Sequence, residues 1–385
     1  MKTDSSRRNF LAASLALPVA GTASATPTPA APAATQASAS PGKVTYRILG
    51  KTGLKVSTVG YGCMITSDPS VISRAVDMGI NYFDSSRGYQ GGQNERMVGA
   101  ALGAKRKDII LSSKEDAKDK AGALKELETS LKELGTDHLD VWLLHGANTP
   151  AAISDELVDA QRTAKQQGKA RFIGVSTHQL PAVVDRVIEA KLDVVTAQYN
   201  FTSDPSWRPA TEKLAKAGVG LVAMKVMAGG TRPGRRGAPM AQMKRPNAAA
   251  AAIKWVLQNP AVATTIPSMT DMDQLDQNFR VMAESFTEAD EKILAARLEE
   301  IRFRYCRMCG RCEGQCPQGL PVSNMLRFVM YADDYGQFAL GREHFLALSA
   351  EHQAVRCNRC PTCTVQCPNG VRVAERLIRA QELFA

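Results

Sequence analysis

Eight of the nine cysteines in this 385-residue chain lie after residue 305, and no other groups in it are as well placed for metal chemistry. They form two runs of identical spacing, Cys306-x₂-Cys309-x₂-Cys312-x₃-Cys316-Pro317 and Cys357-x₂-Cys360-x₂-Cys363-x₃-Cys367-Pro368. Zinc is satisfied by two Cys-x₂-Cys pairs and needs neither the third close cysteine nor the Cys-Pro step. Thiols separated by two residues in consecutive steps also make poor disulfide partners. Three thiolates so spaced can instead face one cube of iron and sulfur, while the fourth, after a turn before proline, reaches another. All eight are therefore expected to bind iron. The ninth, Cys63, is expected to be a small buried hydrophobe.

A second set of reactive residues sits at the ends of short apolar runs. Such runs recur at residues 58–63, 80–85, 109–113, 141–145, 172–176, 194–199, 220–224 and 264–267. They lack polar alternation, as strands buried on both faces do. Helix-period stretches lie between them, such as Leu124, Leu127, Leu131 and Leu134, with Gly135 and Gly168 as helix-ending glycines. Eight such units predict a closed (β/α)₈ barrel. A doubly wound sheet is the runner-up, but no G-x-G-x-x-G follows a first strand. Barrel enzymes keep their chemistry at the C-terminal strand ends. There stand Asp84, Lys114 and His145, with Tyr89 five residues after Asp84. Singly, Asp84 could cap a turn, Lys114 could snorkel, and a strand-ending His is often a hydrogen-bonded core residue. Four such groups at successive strand ends are harder to dismiss.

The segment Tyr46-Arg47-x-Leu49-Gly50-x-Thr52-Gly53-Leu54-x-Val56-Ser57 resembles the opening hairpin of the aldo/keto reductases. Phe83-Asp84-Ser85-Ser86-Arg87-Gly88-Tyr89 with Asn94-Glu95, Leu111-Ser112-Ser113-Lys114 and Leu143-Leu144-His145-Gly146 are similar to that family's Asp/Tyr, Lys and His segments. The resemblance spans roughly residues 44 to 285 and implies a catalytic tetrad of Tyr89, Asp84, Lys114 and His145. A carbonyl accepting hydride develops charge on oxygen and needs a nearby acid. Free tyrosine, with a pKa of about 10, is a weak one. Lys114 is expected to lower that value, Asp84 to hold Lys114 charged, and His145 to orient the carbonyl. Tyr89 is then the general acid, or the base in the oxidising direction.

The same resemblance implies a nicotinamide site, with NAD(P)(H) as cofactor. Ser176 and Gln198 stand where the family reads the nicotinamide amide, but Thr177 replaces an Asn and His178 follows. Ser268 and Gln274 stand where cations commonly read a 2′-phosphate, while Gln277 and Asn278 keep the adenine-side pattern. NADPH preference is therefore not implied. By position after the seventh strand, where barrels often grip phosphate, Gly230 and Arg232, with Arg235 and Arg236, read either as a grip on the phosphate of a nucleotide or flavin or as a solvated basic loop. The cysteine runs resemble the bacterial ferredoxin pattern, twice. That pattern implies two 4Fe–4S clusters, one on Cys306, Cys309, Cys312 and Cys367, the other on Cys357, Cys360, Cys363 and Cys316.

At the other end, Ser6-Arg7-Arg8-Asn9-Phe10-Leu11 resembles a twin-arginine export signal, with Ala23-Ser24-Ala25 as a cleavage site. This route implies passage of an already folded, cluster-loaded protein to the periplasm. The expected organisation is a signal peptide over 1–25, an Ala/Pro-rich linker over 26–42, a barrel over 43–285, a connecting helix over 286–302 and a mainly helical, ferredoxin-like iron–sulfur domain over 303–385. The net charge of +10 is scattered rather than striped with aromatics, which speaks against nucleic-acid binding. No stretch is long and apolar enough for a stable membrane span. The expected partners are a small carbonyl or alcohol substrate, a sugar among the candidates, and a redox protein. Hydride carries two electrons and each cluster moves one, so a direct handover is poor without an intervening flavin. The alternative function is a non-enzymatic electron carrier that uses the barrel as a scaffold.

Overall fold

The computed structural model describes residues 43–229 and 247–385. The chain opens with an antiparallel hairpin, β1 (Tyr46–Ile48) and β2 (Lys55–Ser57). Eight parallel strands follow: β3 (Tyr61–Gly62), β4 (Tyr82–Asp84), β5 (Ile110–Glu115), β6 (Leu139–Leu144), β7 (Ala170–Thr177), β8 (Val194–Gln198), β9 (Gly220–Met224) and β10 (Val262–Thr265). Each pairs with the next in chain order. The sheet closes through a Val59–Thr265 bridge and the Gly60 N–H to Thr265 O and Gly62 N–H to Pro267 O bonds of 2.7 and 3.0 Å. This is the (β/α)₈ barrel the apolar runs predicted. The first strand is shorter than residues 58–63 because most of that segment is spent on closure.

Helices α1 (Pro69–Asp77), α2 (Gln93–Leu102), α3 (Lys120–Leu134), α4 (Asp155–Gln166), α5 (Leu180–Glu189), α6 (Trp207–Lys216), α7 (Ala248–Leu257) and α8 (Met272–Arg280) follow the strands in turn. On α3, Leu127, Leu131 and Leu134 are buried and Gly135 ends the helix at φ +63°, as its spacing predicts. Gly168 lies just past α4 at φ +75°. Inside the barrel, Tyr82, Val141, Leu143, Val194 and Val222 meet Leu49, Leu54 and Val56 of the hairpin, which plugs the N-terminal end.

Tight strand approach depends on Gly174. A Cβ there would stand 1.8 Å from the Val194 carbonyl oxygen, its partner across β7 and β8. Backbone cannot yield as a side chain does. Gly174→Ala is therefore expected to cost about 3 kcal/mol or more, beyond ordinary overpacking, read as a fall in denaturant midpoint. An unchanged midpoint would mean the pairing is looser than described.

Helix α9 (Glu288–Ile301) begins with a capping box in which Thr287 and Asp290 satisfy each other's backbone N–H groups. It packs against α7 and leads into α10 (Val322–Tyr335), α11 (Phe338–Leu346), α12 (Ala350–Ala354) and α13 (Val373–Phe384). Leu326, Val329, Phe345, Leu377 and Phe384 form the core of this helical segment, and six of its cysteines belong to or pack against that core. On α11, Phe345 takes the core position and Leu346 points outward, 43% exposed.

Candidate active site

Strand register brings the four reactive groups to one end of the barrel. Asp84 ends β4, Lys114 lies on β5 beside it, and His145 follows β6. Tyr89 comes back over them because Gln90 and Gly91 turn the chain with φ of +53° and +63°. The Lys114 amine donates to Asp84 Oδ1 at 2.5 Å and to the Ser85 carbonyl at 2.6 Å, and lies 3.4 Å from the Tyr89 hydroxyl. The Tyr89 and His145 rings meet edge to face, centroids 5.8 Å apart. His145 Nδ1 is 3.1 Å from Asp116 Oδ2 and 3.2 Å from Ser86 Oγ, which leaves Nε2 unengaged among the described residues.

The motif residues around the tetrad hold this geometry. Ser85 donates to Asn94 Oδ1 at 2.6 Å, and Asn94 donates to the Cys63 carbonyl at 2.8 Å. Glu95, fully buried, pairs with Arg87 and accepts from Ser113 at 2.5 Å. Three strands and α2 are thereby tied beneath one loop. Cys63 is fully buried, and burial pushes its thiol up; it is a small core residue.

One electrostatic expectation is reversed. Burial first, and then the Asp84 charge, raise the Tyr89 phenol well above its ordinary value. Lys114 is spent on Asp84 at the shorter distance, so its charge reaches the phenol already neutralised. Tyr89 is therefore a protonated group at neutral pH.

The helical C-terminal segment covers the barrel mouth. Tyr331 and Tyr335 of α10 lie over the Lys225 amine, ring centroids 4.9 and 4.4 Å away. Tyr305, before the first cysteine, receives a hydrogen bond from buried Asn200 at 3.2 Å, and Arg311 pairs with Asp204. Helix α11 touches the Tyr89 turn. Lys225 directly follows β9 and was legible by the strand-end rule, though sequence reasoning passed it over. Asp116, Asn148, Arg327 and His344 carry no local signal.

On the nucleotide side, Ser176 Oγ accepts from the Gly146 N–H at 2.9 Å, and Thr177 Oγ1 accepts from the Gln179 N–H at 2.9 Å. Asn148 Oδ1 accepts from the His178 N–H at 2.7 Å. Gln198 is buried on β8 with Oε1 unpartnered. An orphaned acceptor beside a serine hydroxyl with a hydrogen to give fits a carboxamide such as that of nicotinamide. Ser268 lies beside Gly62, Gln277 is half-buried and Asn278 is buried on α8. Gln274 is turned to Asp271 Oδ2 and Thr270 Oγ1, at 2.6 and 3.0 Å, so its amide is engaged at the start of its own helix. Gly230 and Arg232 lie outside the described residues, as do residues 1–42 with the export motif.

The eight C-terminal cysteines fall into two groups. Burial pushes the Cys306 thiol up to about 12, with Cys312, Cys309 and Cys367 close enough to add to the rise. Cys357 is pushed up to about 11 by burial, with Cys316, Cys360 and Cys363 adding. Cys316, Cys357, Cys360 and Cys363 also line one cavity with Leu320, Val355 and Leu377. Four thiols around an apolar hollow fit a cluster, whose iron would deprotonate them. Cys360 is exposed, whereas Cys306 adjoins Tyr305 at the barrel.

Comparison with known proteins agrees with both halves. The model of the aldo/keto reductase family matches residues 67–249 and 239–299, and that of a 4Fe-4S dicluster domain matches residues 305–373. Uncharacterized oxidoreductase YqkF of Bacillus subtilis is 27% identical over 301 residues, 66% of this chain and 96% of that protein. L-galactose dehydrogenase of Arabidopsis thaliana is 28% identical over 286 residues, 63% of this chain and 89% of that protein. The holo form of an aldo-keto reductase from Bacillus halodurans superposes with a TM-score of 0.56 at 25% identity, covering 66% of this chain and 96% of that one. No helix among the described residues is long and apolar enough to cross a membrane. The chain is an oxidoreductase that belongs to the aldo/keto reductase family and carries a C-terminal 4Fe–4S dicluster domain.

Proposed function

We propose that the protein interconverts a carbonyl and an alcohol at the covered barrel mouth, in the periplasm, and that two 4Fe–4S clusters exchange the nicotinamide's electron pair with a redox partner one electron at a time, through a bound flavin that splits the pair. The observation that carries the chemistry is the Lys114 amine set between the Asp84 carboxylate and the Tyr89 hydroxyl, at 2.5 and 3.4 Å. NAD(P)(H), when bound, supplies or accepts the hydride. Tyr89 holds the proton on its hydroxyl and gives it to the forming alkoxide. Lys114 then stands beside the phenolate left behind, and Asp84 keeps that lysine in place. His145, its Nδ1 held by Asp116 and Ser86, has Nε2 left to hydrogen-bond a carbonyl oxygen. The L-galactose dehydrogenase relative favours a sugar-like substrate, and the Asp271 carboxylate beside Gln274 favours NADH over NADPH.

The relay is supported by the order of the cysteine groups. The set with exposed Cys360 faces an outside partner, while the set with Cys306 adjoins Tyr305, hydrogen-bonded into the barrel. Export by the twin-arginine route suits a cluster inserted before an oxidising compartment is met. Anaerobic purification with analysis of iron, sulfide and bound cofactor tests this reading. About eight irons and eight sulfides per chain are expected, together with bound nicotinamide nucleotide. Flavin absorbance is expected for the relay, and bound nicotinamide without flavin would leave a plain reductase with structural clusters. Zinc, or metal-free protein, would remove the relay.

A further inference from the structure

Between the tetrad and the C-terminal helices stand two cations and two imidazoles that have no ion-pair partner among the described residues. Lys225 leaves β9 in the left-handed region, φ +57°, with its carbonyl held by the Asn200 amide at 3.0 Å. A non-glycine residue there is uncommon and is kept where surrounding structure enforces it. The amine lies between the Tyr331 and Tyr335 rings and 3.7 Å from Met64 Sδ, with no carboxylate partner among the described residues. Arg327 of α10, 8% exposed, donates to the Tyr331 hydroxyl at 3.0 Å and to Asn324 at 3.3 Å, and its Nε is unpaired. His178, after β7 and 3% exposed, has both ring nitrogens unpartnered. His344 of α11 stacks on Phe328 at 5.3 Å and lies 5.7 Å from the Tyr331 ring.

Lys225, Arg327 and His344 thus meet at one tyrosine, Tyr331, close to Tyr89, and His178 lies near enough for the Arg327 and Lys225 charges to act on it. The carboxylates at hand are already committed, Asp84 to Lys114 and Asp116 to His145. Burial, and after it the charges of Arg327 and Lys114, push Lys225 down to about 7. Burial and the Arg327 and Lys225 charges hold His178 well below its usual range, so it is a neutral donor. Burying unpaired cations costs several kcal/mol unless something neutralises them, and a bound anion would do so.

We propose that Lys225, Arg327, His178 and His344 form a subsite for an anionic group, carboxylate or phosphate, carried by the substrate whose carbonyl meets Tyr89. This deepens the carbonyl–alcohol reading above and rests on it. It makes the substrate class an anionic oxo or hydroxy compound. Half of the subsite comes from the dicluster domain, so that domain reads the substrate as well as covering it.

Binding to the full cluster-loaded chain, followed by calorimetry without turnover, tests the subsite. Inorganic phosphate, D-glucuronate and D-glucose 6-phosphate are compared with D-glucose. The anionic probes should bind at least tenfold more tightly than glucose, and whichever sugar derivative binds better identifies carboxylate or phosphate. Lys225→Gln and Arg327→Gln should each weaken phosphate by about tenfold or more, the loss of one charged hydrogen bond. Lys225→Arg should retain it. Equal binding of D-glucose and its anionic derivatives, or unchanged phosphate affinity in both Gln variants, would overturn the proposal. If a Gln variant fails to fold, the wild-type comparison and Lys225→Arg still decide. Because no turnover is read, a protein that binds phosphate through Lys225 yet reduces no carbonyl keeps the subsite and loses only the reading beneath it. Loss of NADH affinity in Lys225→Gln with phosphate binding intact would assign the lysine to the cofactor instead.

Discussion

Tyr89→Phe should lower kcat by about 10²–10⁴-fold, the usual worth of a positioned proton donor, while the thermal midpoint stays close to wild type. The ring is almost wholly buried and its packing survives the substitution. Only the hydroxyl is lost, and among the described residues its one hydrogen-bond neighbour is Lys114, at 3.4 Å. Lys114 keeps its shorter bonds to Asp84 and to the Ser85 carbonyl. Substrate binding should change little, so the loss belongs in kcat rather than KM. Unchanged turnover with a carbonyl substrate would remove Tyr89 from the chemistry and favour a scaffold role for the barrel.

Lys114→Met should damage both activity and stability, and in separable ways. Lys114 and Asp84 are both buried, and Asp84 Oδ2 already has no partner. Removing the amine leaves a buried carboxylate facing apolar surroundings, a loss of about 3–5 kcal/mol. The double variant Lys114→Met with Asp84→Asn should recover much of that stability, since the uncompensated charge is gone. It should remain as inactive as the single variant, because nothing stands beside the Tyr89 phenolate. A single variant as stable as wild type would mean water enters and solvates Asp84. Recovery of activity in the double variant would show that the pair only builds structure.

Much of the site could be read from local pattern. Asp84, Lys114 and His145 end apolar runs, and parallel strands in a closed barrel must deliver such ends to one face. Cysteine spacing marked two runs of thiols in the same way, while the exchange of the fourth cysteine between them came from the ferredoxin resemblance. Tyr89 was found, but its acidity was misjudged. Lys114 was expected to lower the phenol, and the distance that decides otherwise is between Lys114 and Asp84, residues of neighbouring strands. Lys225 followed the strand-end rule and was missed because β9 runs straight into a loop read as a phosphate grip.

What sequence alone determined is whatever repeats or recurs over a few residues: eight βα units, strand-end functional groups, and two identical thiol runs. What only the tertiary structure decided is the lid. Tyr331, Arg327 and His344 lie about a hundred residues from Lys225 in the chain, and helical periodicity records merely that one face of α10 is apolar. Which cavity that face covers depends on the packing of two separately patterned segments. Charges brought together by such packing gain or lose their partners only when the segments meet.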